Sequence, residues 1–178
     1  MEEPSAQESA PSPSYSVQAV HLVRTATQAN LSLSQMADQK ASMLMGATFL
    51  VFTIAVGQAS RGQSSAALIV LAFFALLSAV FAIIAVAPSV KASRHPGHSR
   101  NILFFGVFSQ MSEEDFIAEV KRELVNDDLI YTTMLRDIHQ NGQVLQKKKY
   151  RFIGYAYATF LCGLTLTFVV FLYGLAYP

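Results

Sequence analysis

Three long apolar stretches dominate the pattern of this 178-residue chain: residues 41–60, 62–90 and 152–178, which contain no Asp, Glu, Lys or Arg. An α-helix rises about 1.5 Å per residue and a bilayer core is about 30 Å thick, so about 20 apolar residues cross it. The pattern therefore predicts an all-α membrane protein with transmembrane helices at 41–60, 66–87 and 152–175. Buried core helices of a soluble protein are usually shorter and keep charge on one face, which makes that alternative the weaker one.

The polar sequence before the first stretch has the period of a helix. Its apolar residues recur mostly three or four positions apart, on one helical face: Leu22, Ala26, Ala29, Leu33, Met36 and Ala37. Neither Pro nor Gly separates them from the first span, so residues 15–40 are predicted to form a helix that continues into it, over about 16–58. Residues 1–14 are rich in Pro, Ser and Glu and are expected to form a disordered tail.

Between the second and third spans, residues 88–151 form a mostly polar segment. Pro and Gly punctuate a loop over 89–100, and Ser112 and Asn126 are suited to cap two helices, the second of which continues into the last span. Together with residues 15–40 this segment predicts a small helical bundle. We expect four aromatic residues to pack between the two long helices: Phe104, Phe105, Phe108 and Phe116.

The charges predict an orientation. Ten of the thirteen Lys and Arg residues lie between positions 91 and 151, whereas Arg61 alone lies between the first two spans. Because cytoplasmic loops carry an excess of Lys and Arg, the N-terminus and residues 88–151 are predicted to be cytoplasmic and the C-terminus to lie outside.

Several kinds of chemistry find no support in the sequence. Ionisable residues inside spans would indicate charge-based transport, and these stretches have none. His95 and His98 have no Asp, Glu or Cys close by to complete a metal site, and Cys162 is the only cysteine. No catalytic triad, phosphate-binding glycine loop or paired carboxylate site is present. We therefore expect neither an enzyme nor a cofactor.

Small residues line one face of the second span, where they allow another helix to approach closely: Ala72, Ala75, Ser78, Ala79 and Ala82. Such a face packs either against the other spans of the same chain or against a second copy. Both possibilities remain open at this stage.

At the polar boundary of the first span, Asp38 requires a cationic partner. Lys40 projects about 200° away on the same helix and cannot supply it, whereas Lys149, Arg151 or Arg100 could. Asp38 is either part of a structural ion pair or a ligand contact. The basic run at 147–151 is either a lipid-facing patch or a seat for an anionic ligand.

Three strings carry a resemblance to a known family: ADQKASMLM at the first span, the central NILFFGVFSQMSEEDF, and DIHQNGQVLQKKKYRF before the last span. In this order around three spans they resemble the Pycsar transmembrane effectors, which are bacterial antiphage proteins. The resemblance covers about Val20 to the C-terminus. His139 departs from it, since an aromatic Tyr is expected there.

The resemblance implies a function. A partner pyrimidine cyclase makes cyclic CMP or cyclic UMP during phage infection, and the effector responds by impairing the bacterial inner membrane, which stops phage propagation through abortive infection. It implies the lipid bilayer and further copies of the chain as partners, and no nucleic acid. The expected ligand contacts are Asp38, Lys40, Asn101, Phe104, Phe105, Gln140, Lys149 and Arg151.

Two other functions remain as alternatives. A membrane scaffold could recruit a soluble partner through the apolar faces of its polar helices, without sensing a ligand. A small constitutive channel could form from several copies.

Overall fold

The computed structural model describes residues 15–62, 65–88 and 101–177. Of these residues 86% are helical and none lies in a strand, which confirms the all-α fold class. The helices are α1 (Ala19–Ser60), α2 (Ala66–Val86), α3 (Phe105–Phe108), α4 (Glu113–Glu123), α5 (Asp127–Val144), a π-helical segment (Leu145–Tyr150), called the π turn below, and α6 (Arg151–Ala176). The expected tail at 1–14 and the loop at 89–100 lie outside the described residues.

α1 is one unbroken helix of 42 residues. At about 1.5 Å per residue it is about 63 Å long, roughly twice the thickness of a bilayer core. Its apolar second half is therefore long enough to span a bilayer, and its polar first half extends beyond that length. The predicted continuity between the first span and the helix before it is confirmed.

A second long helix joins the other end of the polar segment to an apolar stretch long enough to span a bilayer. α5, the π turn and α6 form one continuous helical stretch, Asp127–Ala176. It begins at the predicted cap, where Asn126 Oδ1 accepts a hydrogen bond from the Leu129 backbone N–H at 2.9 Å. Gly142 does not interrupt it. The π turn is a feature that the hydrophobic pattern does not predict.

The order of contacts gives the relative directions of the three spans. Ala41, Ala85 and Ile153 belong to one buried cluster, and Leu44, Ala82 and Ala156 to the next. Residue numbers rise together in α1 and α6 but fall in α2. α1 and α6 are therefore parallel, and α2 packs antiparallel against both.

The small residues of α2 pack against other helices of the same chain. Ala75, Ser78 and Ala82 are fully buried, and Ser78 Oγ donates a 2.7 Å hydrogen bond to the carbonyl oxygen of Ala156 in α6. In an apolar environment this bond satisfies the Ser78 hydroxyl, which water cannot reach. The structure thus favours packing of this face within the chain.

Outside the spans, α1 contacts α5 directly. Asn30 Nδ2 donates to the carbonyl oxygen of Ile138 at 3.0 Å, and Gly142 lies next to the Asn30 side chain. At the far end, Tyr15 donates a hydrogen bond to the Asp128 carboxylate. That bond is the main reason why the pKa of Tyr15 is raised, since ionisation would remove the donor.

The aromatic cluster does not separate the two long helices as expected. Phe108 instead contacts Phe105 and Phe116, with ring centroids 5.7 and 5.9 Å apart, and so joins α3 to α4. Phe105 is 63% exposed. The direct contacts of α1 with α5 leave no space for these rings between them.

Substitution of Gly163 tests the close packing of α6 on α2. A Cβ added to Gly163 would lie 2.9 Å from Phe74 Cγ and closer still to its Cβ, whereas one added to Gly154 on the same helix meets nothing within 4 Å. We expect Gly163→Ala to destabilise the protein by about 1–3 kcal/mol through overpacking, and Gly154→Ala to leave stability unchanged or slightly raised. Unfolding by SDS in mixed micelles measures both; equal midpoints for the two variants would contradict this packing.

Candidate functional site

An ion pair lies where α1 and α6 pass from polar to apolar sequence. Lys149 Nζ is 2.7 Å from Asp38 Oδ2 and 2.8 Å from Asp38 Oδ1, and it also donates to Ser34 Oγ at 2.8 Å. The Lys149 side chain is 19% exposed and that of Asp38 is 41% exposed. Of the three candidate cations for Asp38, the structure therefore selects Lys149; Arg100 lies outside the described residues.

The π turn supplies this lysine and two further contacts. Lys148 Nζ donates to the carbonyl oxygen of Ala87, at the C-terminal end of α2, at 2.6 Å. The Tyr150 hydroxyl donates to the carbonyl oxygen of Leu33 in α1 at 3.3 Å. Lys148, Lys149 and Tyr150 thus bind both α1 and α2. The Lys148 cation, at the C-terminal end of α2, also interacts favourably with the dipole of that helix.

Asn101 forms a second polar cluster. It is 3% exposed, and its Nδ2 donates to Asp137 Oδ1 and to Gln140 Oε1, both at 3.1 Å. Its Oδ1 accepts the backbone N–H of Leu103 at 3.0 Å. Both amide hydrogens are engaged, so Asn101 fixes the segment before α3 onto α5.

The other expected contacts lie at separate positions. Phe104 is half-buried and Phe105 is mostly exposed. Lys40 is exposed at the point within α1 where polar sequence gives way to apolar sequence. Arg151 Nε donates to the Tyr155 hydroxyl at 3.1 Å, and its guanidinium carbon is 5.6 Å from the centroid of that ring. The structure therefore brings Asp38 together with Lys149, and Asn101 with Gln140. The Phe104 backbone N–H also donates to the Asn101 carbonyl oxygen at 3.2 Å.

The two polar clusters are close along the same helical stretch. Lys149 follows Gln140 by nine positions, which is about 13.5 Å along a helix axis. A ligand that reaches both clusters would contact α1, α5 and the segment before α3 at once. In that region the Lys149–Asp38 pair joins the two long helices.

A shallow groove between α1 and α5 was missed by sequence reasoning. Its volume is about 210 Å³ and its lining residues are Val20, Arg24, Thr27, Gln28, Leu31 and Met134. Arg24 is the one cation among these residues. Spacing along α1 could have grouped most of them on one face, but not their position opposite α5.

The described residues contain no cluster of three or more His, Cys, Asp or Glu side chains that could hold a metal ion. The expectation that His95 and His98 form no metal site concerns residues that lie outside the described part of the chain. Cys162 is an exposed free thiol on α6.

The residues that carry this geometry lie within one recognised domain. The Pycsar effector protein domain matches the chain over residues 21–176, nearly its whole length. The chain belongs to this family. No curated protein and no solved structure matches it significantly.

Membership gives the chain a biological setting. It is an effector of the Pycsar antiphage system and a membrane protein with three helices able to span a bilayer. The Pycsar effector domain is not a known enzyme family. A cyclase is the partner that this family suggests.

We expect the Lys149–Asp38 pair to contribute more to the stability of the protein than the nearby contact of Lys147 does. Lys147 is exposed, and its Nζ donates to Gln143 on its own helix, which makes Lys147→Gln a matched control. Exposed pairs contribute about 0.2–1 kcal/mol and loss of a buried partner costs about 3–5 kcal/mol. Because this pair is partly buried, we expect Lys149→Gln to cost about 1–3 kcal/mol and Lys147→Gln less than about 0.5 kcal/mol, measured by SDS unfolding. Equal losses would show that the pair contributes nothing specific.

Proposed function

We propose that this Pycsar effector senses a cyclic pyrimidine mononucleotide, cyclic CMP or cyclic UMP, with its polar helical bundle and then impairs the integrity of the membrane that its spans cross. The continuity of the bundle with the spans carries the proposal. α1 and the stretch Asp127–Ala176 each begin in the bundle and end in the apolar region. A ligand that changes how these helices pack outside the membrane also changes how they pack within it.

The proposed ligand site lies around the Asp38–Lys149 pair and the Asn101–Gln140 pair. Lys149 would hold the cyclic phosphate, with Lys40 and Arg151 as further cations near the same boundary. The exposed ring of Phe105, with Phe104, would stack on the base, a contact worth about 1–3 kcal/mol per base. A ligand shifts a conformational equilibrium only through contacts that differ between the two states, and contacts to both long helices meet that condition.

The orientation proposed with this function places the bundle in the cytoplasm of a bacterial cell. Ten Lys and Arg residues between positions 91 and 151 support it through the positive-inside rule. A cyclase product made in the cytoplasm would then reach the bundle directly. No separate transport step is needed.

We also propose that membrane damage involves several copies of the chain. The three apolar stretches contain no Asp, Glu, Lys, Arg or His with which one chain could line a charged pore. Outside the spans, α1 leaves an apolar face exposed that a second copy could cover: Leu22, Leu33 and Met36.

Isothermal titration calorimetry on the full chain in lipid nanodiscs tests direct sensing. We expect heat with cyclic CMP or cyclic UMP, a loss of affinity of at least tenfold in Lys149→Gln, and little change in Lys147→Gln. Cyclic AMP serves as the purine control. Absence of heat with either pyrimidine nucleotide, well above micromolar concentration, would refute direct sensing.

Dye uptake by cells that express the effector separates the alternatives. Uptake that requires an active pyrimidine cyclase supports the effector function. Uptake without any cyclase would instead identify a constitutive channel. Absence of uptake under both conditions would favour the scaffold.

A further inference from the structure

The π turn at Leu145–Tyr150 is an unusual element at an important position. A π-helical turn closes its hydrogen bonds between residues five apart, one more than in an α-helix, and such turns are rare and occur frequently at functional sites. Here it stands between α5 in the bundle and α6 in the membrane. Because a polypeptide helix ordinarily prefers the α form, contacts from elsewhere must maintain this one.

Those contacts are concentrated in the second half of the turn. Lys148 is bound to the end of α2, Lys149 to Asp38 and Ser34, and Tyr150 to the backbone of α1. In the first half, Leu145 is buried, whereas Gln146 and Lys147 are exposed. The polar contacts to α1 and α2 therefore come from the second half of the turn, and residues 146 and 147 make the exposed part of the first half.

Conversion of this turn to α-helix would have a large geometric effect. Each α-helical residue advances the helix by about 100°, so absorbing one extra residue would rotate α6 by about 100° relative to α5. Ala156 and Gly163, which pack against α2 at Ser78 and Phe74, would turn away from it. A local change of hydrogen-bond register would thus repack the spans.

We propose that the π turn is a register switch. The π register is held by the Lys149–Asp38 ion pair, and the turn converts to the α register when an anionic group draws Lys149 away from Asp38. The phosphate of a cyclic mononucleotide is such a group. The identity of this trigger rests on the proposed function, whereas the existence of two registers does not.

The exposure and the hydrogen bonds of Lys149 allow an anionic group to compete with Asp38 for this lysine. Both side chains of the pair are partly exposed, so a solute can reach them. All three short polar contacts of Lys149 are made to Asp38 and Ser34, and a phosphate offers the lysine ammonium the same kind of acceptor. Asp38, at the exposed side, can then be hydrated instead of being left as a buried charge.

Distance measurement between two spin labels tests the switch. One label is placed on the native Cys162 of α6 and the other on Leu50→Cys of α1; both positions are exposed. The full chain is studied in lipid nanodiscs. A rotation of about 100° on a radius of about 5 Å moves the Cys162 side chain by about 8 Å, so a displaced distance population of up to that size is expected after conversion.

Four variants give the expected pattern without any ligand. Lys149→Gln and Asp38→Asn should each populate the displaced distance, because each breaks the pair from one side. Lys147→Gln should keep the wild-type distance. Deletion of Gln146 combined with Lys149→Gln should also keep it. With one residue removed, a regular α-helix leaves α5 and α6 facing the same neighbouring helices as in the wild type.

Wild-type distances in both Lys149→Gln and Asp38→Asn would overturn the register switch, whatever happens to the deletion variant. A displaced distance in the folded deletion variant that carries Lys149→Gln would overturn it too. Addition of cyclic CMP or cyclic UMP to the wild type tests the trigger separately. A displacement in the two variants but none with either nucleotide would support the switch and count against the proposed function.

Discussion

The ion pair between Lys149 and Asp38 constrains how far each long helix can slide along the other. The uncharged stretches begin at residues 41 and 152, three residues beyond each partner. Neither charge can move deeper into hydrocarbon without a large desolvation cost, and Asp38 needs its cation. The pair therefore fixes α1 and α6 in register at the height where both enter the membrane.

The packing of the apolar parts of α1, α2 and α6 is consistent with the alignment that the ion pair sets. Ala37, Ala41 and Ala85 are fully buried next to the pair, and their small side chains allow α1, α2 and α6 to meet closely. Ser78 and Gly163 continue the same close contact deeper in the spans. Above the pair, α1 contacts α5 through side chains such as Asn30. The boundary thus joins a tightly packed apolar region to a more polar bundle.

Sequence reasoning predicted the elements because their causes are local. Uncharged length gives the spans, the lack of Pro and Gly between residues 19 and 41 gives the continuity of α1 across the polar boundary, and Asn126 caps α5 as expected. The π turn could not be predicted, because contacts from α1 and α2 select its hydrogen-bond register. The choice of Lys149 for Asp38 and the groove at Arg24 also depend on how helices are placed in space. The role of the eight expected ligand contacts stays a prediction.

Charge exchange tests most directly whether the ion pair links nucleotide sensing to membrane damage. Asp38→Lys and Lys149→Asp each place like charges together, and the double exchange restores an attractive pair. The measurement is cyclase-dependent dye uptake by cells at matched expression. We predict that each single exchange removes the dependence of uptake on the cyclase and that the double exchange recovers at least part of it. Single variants with the same cyclase dependence as the wild type would contradict the account.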